Sequence, residues 1–242
     1  MADQSIRLFL NNEEPRSRAF AVGHDKVVTY GAEKHNEAFT KGSTFPTLGC
    51  PLCHRKVEFD FYNNDGVGTF HCTHCDNKSS AKADYVSTDA DFGARTFKVN
   101  GVDFTMPYDV PYMLYNYASA AAVCKEIMGI EISDTAKAFS SFKNIDGRYV
   151  TLSYKDKTIK YLRIKQENPD TLQNSINIMA ADPNEKLVCL GYGRIDDHIP
   201  FFTESFYTFD CDYTALINGN VEKFFCFSRT LVYDIAKQLE YF

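Results

Sequence analysis

Two C-x-x-C pairs constrain this chain more than any other feature. Cys50-Pro-Leu-Cys53 and Cys72-Thr-His-Cys75 are separated by residues 54–71. A C-x-x-C step aims two thiols at one point, and two such knuckles at this distance can surround a single ion. Between them Lys56-Val-Glu-Phe-Asp-Phe-Tyr62 alternates, Asn63-Asn-Asp-Gly66 is a turn signal, and Val67–His71 is a second extended run. That order predicts a hairpin joining the knuckles, and the whole reads as a zinc ribbon over residues 46–80. Its ligands to a structural Zn²⁺ are Cys50, Cys53, Cys72 and Cys75. Four soft thiolates at about 2.3 Å satisfy an ion without d-electron preferences and leave no open position for water. The competing reading is a redox C-x-x-C, which seldom has a second pair at hairpin distance. His54, His71 and His74 could each replace a cysteine but are expected beside the site. Cys124, Cys189, Cys211 and Cys226 fall in apolar runs and read as small buried hydrophobes.

The rest of the chain is long enough to fold without the metal. At 242 residues it makes one large domain or two small ones. With 26 basic and 32 acidic residues, a net charge of −6 and a pI near 5.5, it carries no basic field for nucleic acid or an anionic membrane. Within the ribbon Arg55, Lys56 and Lys78 are offset by Glu58, Asp60, Asp65 and Asp76. No apolar stretch approaches the ~20 residues that span a bilayer. The start, Met1 to Arg7, lacks the basic and apolar regions of a secretory signal, so a soluble cytoplasmic protein is expected.

The remaining patterning is α/β. Ile6–Asn11 and Lys26–Gly31 read as strands with a polar, partly helical stretch between them, and residues 32–49 as a loop. Residues 83–106 are extended and broken by Asn100-Gly101, a hairpin signal. Tyr112–Met128 contains no Gly or Pro, is rich in alanine and stops at Gly129, which predicts a helix closed by a left-handed glycine. A second helix is expected from Ser133 as N-cap, with Ala136, Phe139 and Phe142 on one face. After Asn144-Ile-Asp-Gly147 come strands at Arg148–Tyr154 and Thr158–Lys165. A helix then opens at Asn168-Pro169 with Leu172, Ile176 and Met179 inward. Strands at Lys186–Leu190 and Phe224–Phe227 and a helix from Arg229 imply a partly parallel sheet covered by helices.

In this order the motifs resemble the Mur ligases, specifically the branch with MurT-type subunits of lipid II isoglutaminyl synthase. Leu8-Phe-Leu-Asn-Asn-Glu-Glu-Pro15 is similar to that family's "LNADDP", and a four-cysteine ribbon follows in that branch. Tyr115-Asn116 resembles "YNxYNALAA", and Asp146-Gly147-Arg148 resembles "FGRxE". Lys165 with Asn168-Pro169 resembles "VKNPxG", and Phe209-Asp-Cys-Asp-Tyr213 resembles "WDxDFE". Ser228-Arg229 with Asp234-Ile-Ala236 is similar to "SGxRxxDMAxRLKYA". The resemblance implies residues 1–144 as a partial central domain with the ribbon at 46–80 inserted. Residues 145–242 would then be an α/β, Rossmann-like C-terminal domain, itself expected to be incomplete.

The functional implication is amidation of the D-glutamate α-carboxylate of lipid II. ATP and Mg²⁺ are its cofactors, and a GatD-like glutaminase is the partner that delivers ammonia. Asn116 then becomes a nucleotide-contact candidate. Asp196 and Asp197 become candidates for the aspartate that completes the partner's Cys-His dyad, as the third member of a triad does. The sequence departs from the family at several points. It contains no G-x-x-x-x-G-K-[ST] phosphate loop, Met113 and Tyr149 replace a motif Asn and Glu, and Gln166-Glu167 separates Lys165 from Asn168. A truncated relative without independent activity is therefore expected. The alternative is a non-catalytic zinc-ribbon α/β module that docks a protein partner.

Overall fold

A computed structural model describes residues 3–36, 38, 48–64, 66–142, 149–162, 169–191, 211–228 and 232–242. It divides into two compact units, Met1–Ile145 and Asp146–Phe242.

In the first unit β1 (Leu8–Asn11), β2 (Val27–Ala32), β6 (Tyr85–Asp91), β7 (Thr96–Val99) and β8 (Val102–Thr105) form one sheet in that order. The first three strands run parallel and the last two antiparallel. The short helix α1 (Pro15–Ala19) follows β1, with proline in its first turn and Glu14 capping the amides of Arg16 and Ser17. The β7–β8 turn is the expected Asn100-Gly101, both residues at positive φ, as a two-residue primed turn requires. α2 (Met113–Met128) packs on β2 and β6 through Leu114, Ala118, Ala121 and Ala122, and ends at Gly129 with φ +66°. α3 (Ile132–Ser141) packs on β8. Its N-cap is Glu131, not Ser133, because Glu131 is the last extended residue and its carbonyl accepts the Asp134 and Thr135 amides. Phe139 turns inward against Phe104 and Tyr117, whereas Phe142 stands 49% exposed where the helix has already ended. Phe97 fills the centre, its ring 5.2 Å from Phe104 and 5.1 Å from Tyr117.

The ribbon hangs from this unit as a three-stranded antiparallel sheet, β3 (Leu48–Gly49), β4 (Lys56–Phe59) and β5 (Phe70–Cys72). The predicted hairpin is β4–β5. β3 is an added strand inside the stretch expected to be a loop, the remainder of which lies mostly outside the described residues.

In the second unit β9 (Tyr149–Tyr154) and β10 (Lys157–Leu162) form an antiparallel hairpin, with Lys155 at positive φ in its turn. β11 (Lys186–Gly191) and β12 (Val221–Phe227) pair in parallel. α4 (Pro169–Ala181), α5 (Thr214–Ile217) and α6 (Val232–Tyr241) contribute Leu172, Ile176, Leu216 and Ile235 to a core shared with Val188 and Leu190. The predicted single, partly parallel sheet is thus two separate pairs among the described residues. Cys189 differs from its reading as a buried hydrophobe. It is exposed because it alternates with the inward Val188 and Leu190, while Cys211 is buried and Cys124 and Cys226 are half-buried.

Candidate metal centre

All eight cysteines are free thiols, and only four of them converge among the described residues. The sulfurs of Cys50, Cys53, Cys72 and Cys75 lie within 4.8 Å of one another, with Cys50 to Cys75 at 3.6 Å and Cys53 to Cys72 at 3.5 Å. Four thiolates at about 2.3 Å from a common centre stand about 3.8 Å apart along tetrahedral edges, so the cluster has the dimensions of a closed S4 site. Local backbone geometry sets each knuckle. Cys50 N–H donates to Arg55 O and His54 N–H to Cys50 O, with His54 at φ +61°. Cys72 N–H donates to Asn77 O, and the His74 amide donates to Cys72 Sγ at 3.4 Å.

The electrostatics call for a cation. Burial works against ionisation of Cys50 and Cys72, but backbone N–H donors outweigh it and hold both thiols below the ordinary value. Cys53 and Cys75 go the other way. Despite backbone donors at Arg55 and Asn77, burial and the neighbouring sulfurs push both up. A divalent ion at the centre removes that repulsion and allows four thiolates. The donor set and its spacing therefore fit a tetrahedral thiophilic metal ion. The three histidines stay outside the thiol cluster: His71 Nε2 lies 3.6 Å from Glu58 Oε2 on the exposed face of the hairpin, and His54 and His74 are exposed.

The ribbon rests on the carboxyl ends of β1 and β2, over a buried polar cluster. Glu13 follows β1 and is 6% exposed. Its carboxyl accepts the Tyr115 hydroxyl from α2 and, at 3.1 Å, the Ala32 amide from β2. Burial raises its pKa to about 7, partly opposed by these donors. Gly31 makes room, since a Cβ there would stand 2.5 Å from Glu13 Oε1. Asn63, at the base of the ribbon and 2% exposed, donates to Ala32 O, Glu33 O and Tyr115 Oη. His35 lies just beyond, edge-on to Phe92 at 5.3 Å. Neither of its ring nitrogens has a hydrogen-bond partner among the described residues, and burial lowers its pKa to about 4. Only Glu13 carried a sequence signal, as an acidic residue at the end of a strand in an open α/β sheet.

The other candidates are not gathered at this centre. Asn116 is exposed on α2, with Nδ2 at 3.1 Å from Met113 Sδ. Asp196 and Asp197 lie outside the described residues, as do Arg148, Lys165 and Asp210.

No family model matches the chain. It is 22% identical over 224 residues to the MurT subunit of lipid II isoglutaminyl synthase (glutamine-hydrolyzing) from two Staphylococcus aureus strains, COL and N315. That similarity covers 92% of this chain and 49% of each relative, so the chain spans about half the length of the curated relatives it matches. Among solved structures, a pseudomurein peptide ligase type C from Methanothermus fervidus superposes with a TM-score of 0.60. It is 21% identical and covers 76% of this chain and 36% of its own. The chain is thus MurT-like in sequence along nearly its whole length, on a fold shared with a peptide ligase.

Proposed function

We propose that the chain is a MurT-like part of an ATP- and glutamine-dependent ligase that amidates the D-glutamate α-carboxylate of lipid II in the cytoplasm, together with a GatD-like glutaminase. The observation that carries this reading is sequence similarity over 92% of the chain, which runs through both compact units rather than through the ribbon alone. No described helix is long and apolar enough to cross a membrane.

In this reading Cys50, Cys53, Cys72 and Cys75 hold a structural Zn²⁺. The ion supplies folding energy and no Lewis-acid chemistry, because all four positions are filled by sulfur. These 242 residues contain no phosphate loop. They therefore do not activate the carboxylate by themselves, and ATP and Mg²⁺ are bound with residues supplied from elsewhere in the enzyme, Asn116 facing the nucleotide. Asp196 or Asp197 orients the imidazole of the glutaminase dyad, as the carboxylate of a triad fixes its histidine.

The test is co-purification with a GatD-type glutaminase, followed by measurement of glutamine hydrolysis. A stable complex is expected whose glutaminase rate exceeds that of the glutaminase alone. One of Asp196→Asn and Asp197→Asn should return it to the uncomplexed level, on the order of 10²- to 10⁴-fold down. Failure to form a complex, or a complex indifferent to both substitutions, overturns the reading. A stable complex that leaves hydrolysis unchanged favours the docking module instead.

A further inference from the structure

Two buried asparagines join the thiol cluster to the sheet beneath it. Asn77, 4% exposed, touches both knuckles: its carbonyl accepts the Cys72 amide at 2.8 Å, and its Nδ2 lies 3.6 Å from Cys50 Sγ. The same Nδ2 donates to Pro15 O, at the start of α1, at 3.2 Å. Asn63, between the knuckles in sequence, fills the other end with its three donations to Ala32 O, Glu33 O and Tyr115 Oη. Around them Gly68 N–H donates to Glu13 O at 2.9 Å. Asn12 pairs with the backbone of Ser80 in both directions at 3.1 and 3.0 Å, and Arg18 Nε reaches Lys78 O at 3.3 Å. Apart from Asn77's two contacts with the knuckles, each of these bonds joins the ribbon segment to residues 12–18, to residues 32–33 or to Tyr115 of α2.

We infer that metal binding at the four cysteines is coupled, through Asn77 and Asn63, to closure of the β1–α1 corner over the Glu13–Tyr115 pair. The inference rests on the metal reading of the ribbon. Among the described residues the only apolar side chains that the ribbon buries fully beside its thiols are Val57 and Phe70, too little to keep its shape unaided. Releasing the ion frees Asn77 and Asn63 together. That strips partners from Pro15 O, Ala32 O, Glu33 O and Tyr115 Oη at a buried edge, where unmet polar groups are costly. Linkage makes the relation reciprocal: whatever loosens the Glu13–Tyr115 pair also weakens the metal. Asn77 is a positioning residue here, acting on the ion through Cys50.

The experiment uses the full chain. Cobalt substitution reports a tetrahedral thiolate site by its visible absorption, zinc affinity is measured by chelator competition, and amide hydrogen exchange is read at Asn12, Ala32 and Gly68. With the ion removed, exchange at these amides should accelerate at least ten-fold, while β11 and β12 stay unchanged. Asn77→Ala should weaken zinc about 10- to 100-fold. Tyr115→Phe removes a hydroxyl that lies outside the ribbon and should weaken zinc five-fold or more. Asn63→Ala serves the same purpose if Tyr115→Phe does not fold. Cobalt binding with zinc affinity unchanged in these last variants, and an Ala32 amide indifferent to chelation, overturns the coupling and leaves the metal reading standing. Absence of any cobalt spectrum overturns both.

Discussion

The ribbon and the five-stranded sheet beside it belong to one compact unit but are held by different forces. In the sheet, Phe97, Val99, Phe104 and Met106 are at most 3% exposed and pack on an alanine-lined helix, so ordering the chain is offset by apolar area removed from water. In the ribbon, two of the four core residues are cysteines whose sulfurs converge between the knuckles, and two more cysteines complete the cluster. The sheet has size and no need of a cross-link; the ribbon has four thiols placed to share one ion and little else. One unit thus contains an element that folds by burial and one that is built to fold by coordination.

Replacing a ligand should separate them most sharply. Structural zinc is worth roughly 10–16 kcal/mol in small finger peptides, and Cys72→Ser removes most of that. Hydrogen exchange should then show residues 48–78 losing protection, with zinc stoichiometry falling below one per chain and the Asp146–Phe242 unit unaffected. Loss of structure in that second unit would contradict the division. The converse change is Phe97→Ala, which opens a void where three aromatic rings meet and should cost about 3–5 kcal/mol in denaturant unfolding. The folded fraction of this variant should still bind one metal ion.

The edge between the two elements has its own signature in pH. Glu13 is raised from its unfolded value to about 7, so its contribution is present below pH 4.5 and lost as pH rises through 7. His35 is lowered to about 4, so its contribution is present above pH 6.5 and lost as pH falls toward 4. Each is on the order of 3 kcal/mol, and between pH 4.5 and 6.5 the two slopes cancel. His35→Phe should therefore make stability, relative to the parent at each pH, fall as pH rises through this window. Glu13→Gln should tilt it the opposite way. Parallel curves for parent and both variants would show that neither group titrates in the folded chain. The smallest expected effect is at Gly31. Gly31→Ala should push the Glu13 carboxyl off its two donors and cost about 1–3 kcal/mol, while in a Glu13→Ala background the same change should be nearly neutral.

The elements legible in sequence were those whose signals are local. Asn100-Gly101 could only be a primed turn between alternating runs, and Gly129 ended α2 as a left-handed cap because nothing else in that stretch breaks a helix. The cysteine spacing announced a shared site, since a C-x-x-C turn brings its own two sulfurs together. Ser133 misled, because a hydroxyl before a helical run is a cap only if the chain is extended there, and the extended residue proved to be Glu131. The alternation at Cys189 was hidden by an unbroken apolar stretch, Leu187 to Leu190, whose two faces differ only once helices cover one of them. His35, Asn63 and Asn77 carried no signal, because a lone polar residue in a loop reads as solvated until another segment closes over it.

The sequence by itself determined that four thiols from two knuckles would meet, that a hairpin would join them, and where the longer helices and most strands would lie. These outcomes depend on residues a few positions apart. Only the tertiary structure decided that Glu13 would lose water over Gly31 and hold its proton up to about pH 7, and that Asn77 would face both Cys50 and Pro15. It also decided that Tyr115, 102 residues away, would be Glu13's partner. Burial and pairing of that kind are properties of surfaces brought together by packing, and no spacing along the chain encodes them.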